Sequence, residues 1–230
     1  MPTAVLVDAG FFVKRFSHIY TDKNPHDSRA VARTLHQMAL AHLTQKKDNR
    51  EEKERQTLHR IIVYDCPPLD KRAHKPVSGA SINFGKSDIA RFRTLFHQEL
   101  RKLRKVALRL GELGQEDGWV LKPQYTKPLA NGTLRSSDLN DDHFKYGVHQ
   151  KGVDMKIALD IATLSLKGQV DQIVLVAGDS DFVPAAKQAR REGVDFILDP
   201  MWNPILPSLN EHIDGLRSTA PKPGGADTKP

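Results

Sequence analysis

Short apolar runs alternate with longer stretches of helical period along this chain, and no other feature limits its fold so strongly. Ala4 to Val7, Ile61 to Tyr64, Trp119 to Leu121, Ile173 to Ala177 and Phe196 to Leu198 are short enough, and apolar enough, to read as strands. Between them, Ser28 to Leu43 and Ile89 to Leu110 read as helices. In the second, Ile89, Phe92, Phe96, Leu100, Leu103 and Leu110 recur at helical spacing and form a stripe toward a core. Val153, Ile157, Ile161 and Leu164 mark a third helix, and Phe182 to Glu192 a fourth that stops at Gly193, a residue type that readily takes the left-handed backbone at a helix end. Strands and helices in this order build an open parallel sheet with helices on both faces, a Rossmann-like α/β fold.

A chain of 230 residues fits around one such core, so a single domain is expected over residues 1–216. Two decorations interrupt it. One is a charge-dense insertion at about 46–57. The other is a long loop or small hairpin at about 127–151, where Asn131-Gly132 marks a turn. The Pro- and Gly-rich residues 217–230 are expected to form a disordered tail. No segment approaches the roughly 18 uninterrupted apolar residues that a membrane helix needs. The first residues lack a basic leader region, and their apolar run ends at an acid, so a cytoplasmic protein without a membrane partner is expected. Cys66, the single cysteine, can form no internal disulfide and anchors no zinc framework; it reads as a small core residue. Thirty-five Lys and Arg against 28 Asp and Glu leave a formal charge of +7, which favours a polyanionic partner or reflects solvated helix faces.

Carboxylates follow the strands. In open parallel sheets ligands sit outside the carboxyl ends of the strands, and Asp8 closes the first run while Asp179 and Asp181 follow the run that ends at Ala177. Asp154 opens the third helix, within reach of the same rim if that helix starts there. Any one of these acids alone would serve as a helix cap or turn residue. Together they repel one another unless a cation lies between them, and hard oxygen ligands in this number suit Mg²⁺ or Mn²⁺ better than zinc. Asp160 lies along the apolar stripe of its helix, where it either supports the metal ligands from behind or pairs with a Lys or Arg.

Lys151-Gly152-Val153-Asp154 and Gly178-Asp179-Ser180-Asp181-Phe182, with Gly193-Val194-Asp195 before the last strand, resemble the NYN/LabA-like branch of the PIN-like nuclease superfamily over roughly residues 148–199. Ala4-Val5-Leu6-Val7-Asp8 and Val63-Tyr64-Asp65 resemble its first two strands more thinly. Many NYN members carry an Asn soon after the first Asp; here Ala9-Gly10-Phe11-Phe12 stands in its place, so any role of that Asn is absent or taken by another residue. The resemblance implies a PIN-like sheet and a metal-dependent endoribonuclease that hydrolyses RNA phosphodiester bonds, with Asp8, Asp154, Asp179 and Asp181 as catalytic metal ligands and Mg²⁺ or Mn²⁺ as cofactor.

Substrate contacts are expected from Lys71, Arg72 and Lys75 after the second strand, from Lys151 beside the third helix and from Ser180. Arg91, Arg93, Arg101, Lys102, Arg104, Lys105 and Arg109 form either a backbone-binding stripe or a solvated helix face. Tyr125, Phe144 and Tyr146 are placed either to stack on unpaired bases or to pack the loop. Gly85-Lys86-Ser87 lacks the upstream glycine of a phosphate-binding loop in register, and the ten histidines form no zinc spacing, so neither site is expected. The expected partner is RNA, single-stranded or structured, with tRNA and mRNA both open, and the chain a monomer or homodimer. The alternatives are a Toprim-like nucleic-acid enzyme, from the Asp179-Ser180-Asp181 pattern, and an RNA-binding regulatory module with little turnover.

Overall fold

The computed structural model describes residues 2–46 and 53–223. In chain order its strands and helices are β1 (Pro2–Asp8), α1 (Ala9–Ile19), α2 (Ser28–Ala41), β2 (Thr44–Lys46), β3 (Lys53–Arg55), β4 (Thr57–Asp65), β5 (Arg72–His74), β6 (Ser81–Asn83), α3 (Asp88–Lys102), β7 (Val106–Leu110), β8 (Glu112–Leu121), α4 (Pro123–Ala130), β9 (Phe144–Lys151), α5 (Val153–Leu166), β10 (Gln172–Val176), α6 (Val183–Arg191), β11 (Asp195–Asp199), α7 (Pro207–Asn210) and β12 (Gly215–Leu216).

Six strands form the expected parallel sheet in the order β12-β11-β10-β1-β4-β7. Successive residues of a strand face opposite sides, and β1 uses both. Ala4 and Leu6 pack with Ile157 and Ile161 of α5 and Ala186 of α6, whereas Val5 and Val7 pack with Phe12 and Phe16 of α1, Leu35 of α2 and Phe96 of α3. All of these side chains are essentially inaccessible, each worth about 1.5–3 kcal/mol of burial for the larger ones. The apolar runs are near-continuous because the central strands are covered on both faces.

The path of the chain matters most for function. From β1 it proceeds outward on one side to β4 and β7, then returns to the other side for β10, β11 and β12. The order therefore reverses between β1 and β10, and at such a reversal the connections diverge to opposite faces and leave a crevice beyond the carboxyl ends of the strands.

Two expected elements differ. Residues 106–110 continue the sheet as β7 rather than extending the helix: α3 stops at Leu103, Lys105 takes a left-handed φ of 61°, and the chain reverses to pair with β4. Leu103 and Leu110 coincide with helical spacing, yet Val106, Leu108 and Leu110 also alternate, and pairing with β4 decides between the periods. Ile89, assigned to the core stripe, is 75% exposed. Trp119 to Leu121 belongs to the antiparallel hairpin β8–β9 instead of the main sheet. Within the stretch read as loop or hairpin, α4 ends at the Asn131-Gly132 turn and β9 completes the hairpin.

The chain beyond Leu216 is ordered further than its composition implies. Arg217 reaches His42 through Nε on Nδ1 at 3.3 Å and Nη2 on the carbonyl oxygen at 3.1 Å, Thr219 Oγ1 donates to Met38 O, and Ala220 is buried. Residues 224–230 of the expected tail, and 47–52 of the charged insertion, lie outside the described residues. Cys66 is buried, its thiol donating to Glu112 O. Among the described residues no helix is long and apolar enough to cross a membrane.

Candidate functional site

Asp8 stands where β1 becomes α1. Its Oδ1 accepts the Phe11 backbone N–H at 3.1 Å and caps the helix, which fixes the carboxylate at the rim of the central crevice. On the neighbouring strand, β10 runs into Gly178, where a Cβ would stand 2.5 Å from Cε2 of Phe11; only glycine lets the two segments approach this closely. Asp179 follows and accepts the N–H of Asp181 at 3.0 Å, winding the chain into a short turn that buries Phe182. Asp154 occupies the first turn of α5, just after Gly152 with φ 74°. That junction is pressed against the start of β8, since a Cβ on Gly111 would lie 2.6 Å from Lys151 O.

These acids sense one another. Burial pushes the Asp8 carboxyl above the ordinary range; the Phe11 N–H opposes this, and the charges of Asp154 and Asp65 add to the rise. Asp154 is also raised, by desolvation first and then by Asp179 and Asp181. The four acids named from sequence thus form one electrostatic group at one rim. Among the described residues, no three His, Cys, Asp or Glu side chains are drawn close enough to clasp an ion as they stand. The side chains gathered here offer carboxylate oxygens, the donor type that hard cations prefer.

A cleft of about 460 Å³ opens at Asp8 and Asp179, walled by Gly10, Phe11, Lys14, Arg15 and His18 from α1 and its start, by Gly178 and Ser180, and by Asn203 and Leu206 opposite. Asp154 and Asp181 stand beyond its lining; Asp154 acts through charge on Asp8, and Asp181 on Asp154. A larger concavity of about 670 Å³, around Lys187, Arg190, Arg191 and Asp195, lies at the amino end of β11, away from the acids, and Arg190 there is committed to Asp214 at 2.9 Å.

Of the expected substrate contacts, Ser180 lines the cleft. Lys71, Arg72 and Lys75 accompany the small hairpin β5–β6, with Lys71 over the Tyr146 ring at 5.3 Å and Lys75 paired with Asp141 at 3.9 Å. Lys151 ends β9, exposed and outside the cleft wall. Tyr146 packs with Phe84 and Trp119, and Tyr125 against His143, so these rings are used in packing. The basic stripe of residues 91–109 is divided: Arg93 turns inward to Asp65 and Arg109 to Asp160, while Lys105 Nζ donates to Leu58 O.

Asp160 accepts from the Tyr64 hydroxyl at 2.6 Å and from Arg109 Nε at 2.8 Å, the pairing alternative of the two left open. Burial, then this carboxylate, pushes the Tyr64 hydroxyl far up. Sequence reasoning missed three features. Asp65, 1% exposed, binds Arg93 at 2.5 Å and His97 at 2.8 Å. Gln150 on β9 brings its side-chain amide beside Asp8, both lying within 3.5 Å of where a Gly10 Cβ would be. Lys14 and Arg15 supply the basic side of the cleft, with His18 a turn further on; the i, i+3, i+4, i+7 spacing of Phe11, Lys14, Arg15 and His18 was the available signal.

Residues 124–207 match the model of the NYN domain, a segment that contains Asp154, Asp179 and Asp181. An uncharacterized protein of Methanocaldococcus jannaschii is 25% identical over 121 residues, covering 51% of this chain and 48% of that one, so the chain spans about half the length of this relative. A solved structure of a protein of unknown function from Vibrio parahaemolyticus aligns over 94% of this chain and 90% of its own at 16% identity, with a TM-score of 0.44.

Proposed function

From an NYN domain, a nuclease-family module, set in an α/β sheet of PIN-like architecture, we propose that this protein is a metal-dependent endoribonuclease in which Asp8, Asp154, Asp179 and Asp181 hold Mg²⁺ or Mn²⁺. The observation that carries this reading is the gathering of these acids where the strand order reverses: Asp8 caps α1 at the rim and Asp179 follows the neighbouring strand in the same cleft, while Asp8 and Asp154 are raised by burial first and then by acids of the same group. Bound there, a divalent ion supplies a water of lowered pKa, polarisation of the phosphoryl oxygens and stabilisation of the leaving oxygen.

The chain's own residues provide the rest. Asp8 is held by the α1 N-terminus and Asp179 by the turn it caps, so two ligands are fixed before any ion binds. Ser180 lines the cleft beside Asp179, where it would meet a phosphodiester bound at the acids, and Lys14 and Arg15 offset the negative field that would otherwise repel RNA. Gln150 brings a side-chain amide to the same point as Asp8, both lying within 3.5 Å of where a Gly10 Cβ would be.

The test is cleavage of labelled single-stranded and structured RNAs with Mn²⁺, Mg²⁺ or EDTA, comparing the wild type with Asp154→Asn. Metal-dependent cutting is expected, reduced by at least about 100-fold in the variant, as for loss of one transition-state stabilising group. Equal cutting by both proteins, or cutting that persists in EDTA, refutes the assignment. RNA binding without cutting under every metal leaves the regulatory, catalytically weak module in its place.

A further inference from the structure

Helix α1 leads away from the acids with a different chemistry on each turn. Phe11, Lys14, Arg15 and His18 line the same cleft as Asp8 and Asp179, spanning about 10 Å along the helix axis from Phe11 to His18. The Phe11 ring lies against Gly178. Lys14 is exposed and makes no ion pair among the described residues. Arg15 is engaged across the cleft, where its Nε and Nη2 both donate to Met201 O, at 3.1 and 2.8 Å. Met201 and Trp202 have φ of 47° and 63°, a backbone that non-glycine residues rarely adopt. Asp199 Oδ1 holds the Met201 N–H at 2.7 Å, and the Trp202 indole donates to Ala220 O at 2.8 Å. The opposite wall, which carries Asn203 and Leu206, is therefore braced in one shape.

The tautomer of the neutral His18 ring follows from its neighbours. Nδ1 lies 2.9 Å from Lys14 O, which only accepts, and 3.3 Å from Ser17 Oγ, whose own proton goes to that same carbonyl at 3.1 Å, so in the neutral ring the proton sits on Nδ1. Nε2 is then the ring's acceptor, on a residue that lines the cleft, with no hydrogen bond among the described residues. A phosphate offers no donor to it; a ribose 2′-hydroxyl does, and that hydroxyl is the group that distinguishes RNA from DNA.

We propose that this groove holds the nucleotide adjoining the cleavage position of an unpaired RNA strand, with Phe11 as its apolar floor, Lys14 on the flanking phosphate and His18 Nε2 accepting from the 2′-hydroxyl. The inference rests on the nuclease reading for its orientation, but its binding test does not need cleavage. At about 460 Å³ the cleft between α1 and the 200–206 segment has the size of a small-ligand site, which suits one unpaired nucleotide.

Binding is measured by fluorescence anisotropy in EDTA, with one ten-nucleotide unpaired sequence made as RNA, as DNA and as 2′-O-methyl RNA. The wild type is expected to bind RNA about three- to tenfold more tightly than either analogue, the worth of one net hydrogen bond. His18→Ala removes that preference while leaving DNA binding unchanged. Lys14→Ala weakens all three alike and lowers the salt slope by about one. Both side chains are exposed, so unfolding midpoints should match the wild type.

Retention of the RNA preference by His18→Ala, an unchanged salt slope in Lys14→Ala, or no binding of any oligomer overturns the groove. If the variants change binding as expected but no metal supports cutting, the groove stands and the nuclease reading falls. If instead metal-dependent cutting at sub-saturating RNA is the same in both variants as in the wild type, the nuclease reading stands and the groove falls.

Discussion

Replacing Asp8 with Asn should stabilise the metal-free protein while removing its response to metal. Asn accepts the Phe11 N–H as Asp does and caps α1 nearly as well, so the substitution removes charge with little loss of geometry. What disappears is a desolvated carboxylate that faces the charges of Asp154 and Asp65. For a half-buried group in a like-charged cluster, relief of about 1 kcal/mol is the appropriate scale, discounted for solvent screening. In a chain of this length that raises Tm by about 2–4 °C.

The pH dependence gives the sign. The folded Asp8 carboxyl titrates above its unfolded value, so between the two the folded state holds a proton that the unfolded state lacks. Wild-type stability therefore gains as pH falls through the folded titration, until the unfolded carboxyl also protonates near about 3.9. The variant has no such gain, and its advantage should be full near neutral pH and vanish in acid. Divalent ion reverses the order: at about 100 times its Kd a ligand adds about 2.7 kcal/mol to the wild type, and the variant should gain far less. Differential scanning calorimetry in EDTA and in Mn²⁺ reads all three effects. A variant less stable than the wild type in EDTA at neutral pH, together with an equal metal response in both, would refute the reasoning.

Arg93→Met leaves Asp65, 1% exposed, facing His97 alone and should cost about 3 kcal/mol, lowering Tm by roughly 6–12 °C; a drop under about 3 °C by calorimetry would mean that the pair contributes as a surface pair does. Gly111→Ala places a methyl 2.6 Å from Lys151 O and 2.8 Å from Val153 Cγ2, and should shift the urea midpoint by the equivalent of about 1–3 kcal/mol while weakening metal binding through Asp154. An unchanged midpoint contradicts the packing argument. Truncation after Leu216 removes Arg217 and Thr219 from the buried His42–Asp199 pair and should destabilise by about 2–4 kcal/mol, where a disordered tail would cost nothing.

Sequence made some of this legible because the physical signal was local. β1 and β10 announce themselves as apolar runs ending near acids, and Gly193 stops α6 with φ 78° as its type requires. β7 was hidden because Leu103 and Leu110 continue the period of α3, and only pairing with β4 reveals the strand. Trp119 to Leu121 is as apolar as a buried strand, but its partners, Phe84 and Tyr146, lie far away in the chain. Asp160 was recognisable as an anomaly on an apolar stripe; that Tyr64 and Arg109 would be its partners was not. The groove on α1 was missed for a different reason. Lys14 and His18 look like solvated helix residues until the 200–206 segment is placed opposite them.

Several acids stand at or just beyond the carboxyl rim of this sheet, and the protein treats them in two ways. Asp65, closing β4, is given Arg93 and His97; Asp199, closing β11, is given His42 at 2.8 Å, with Arg217 on the far nitrogen of that ring. These acids are buried and each has its counterion or its base inside the fold, at the cost of several polar groups committed to one carboxylate. Asp8 and Asp179, beside the point where the strand order reverses, receive backbone N–H groups instead. Among the described residues no cationic side chain pairs with either of them, or with their neighbours Asp154 and Asp181. The proposed metal role fits this division: the flanking acids draw their counter-charge from the chain, and the central ones, on that proposal, would take theirs from solution.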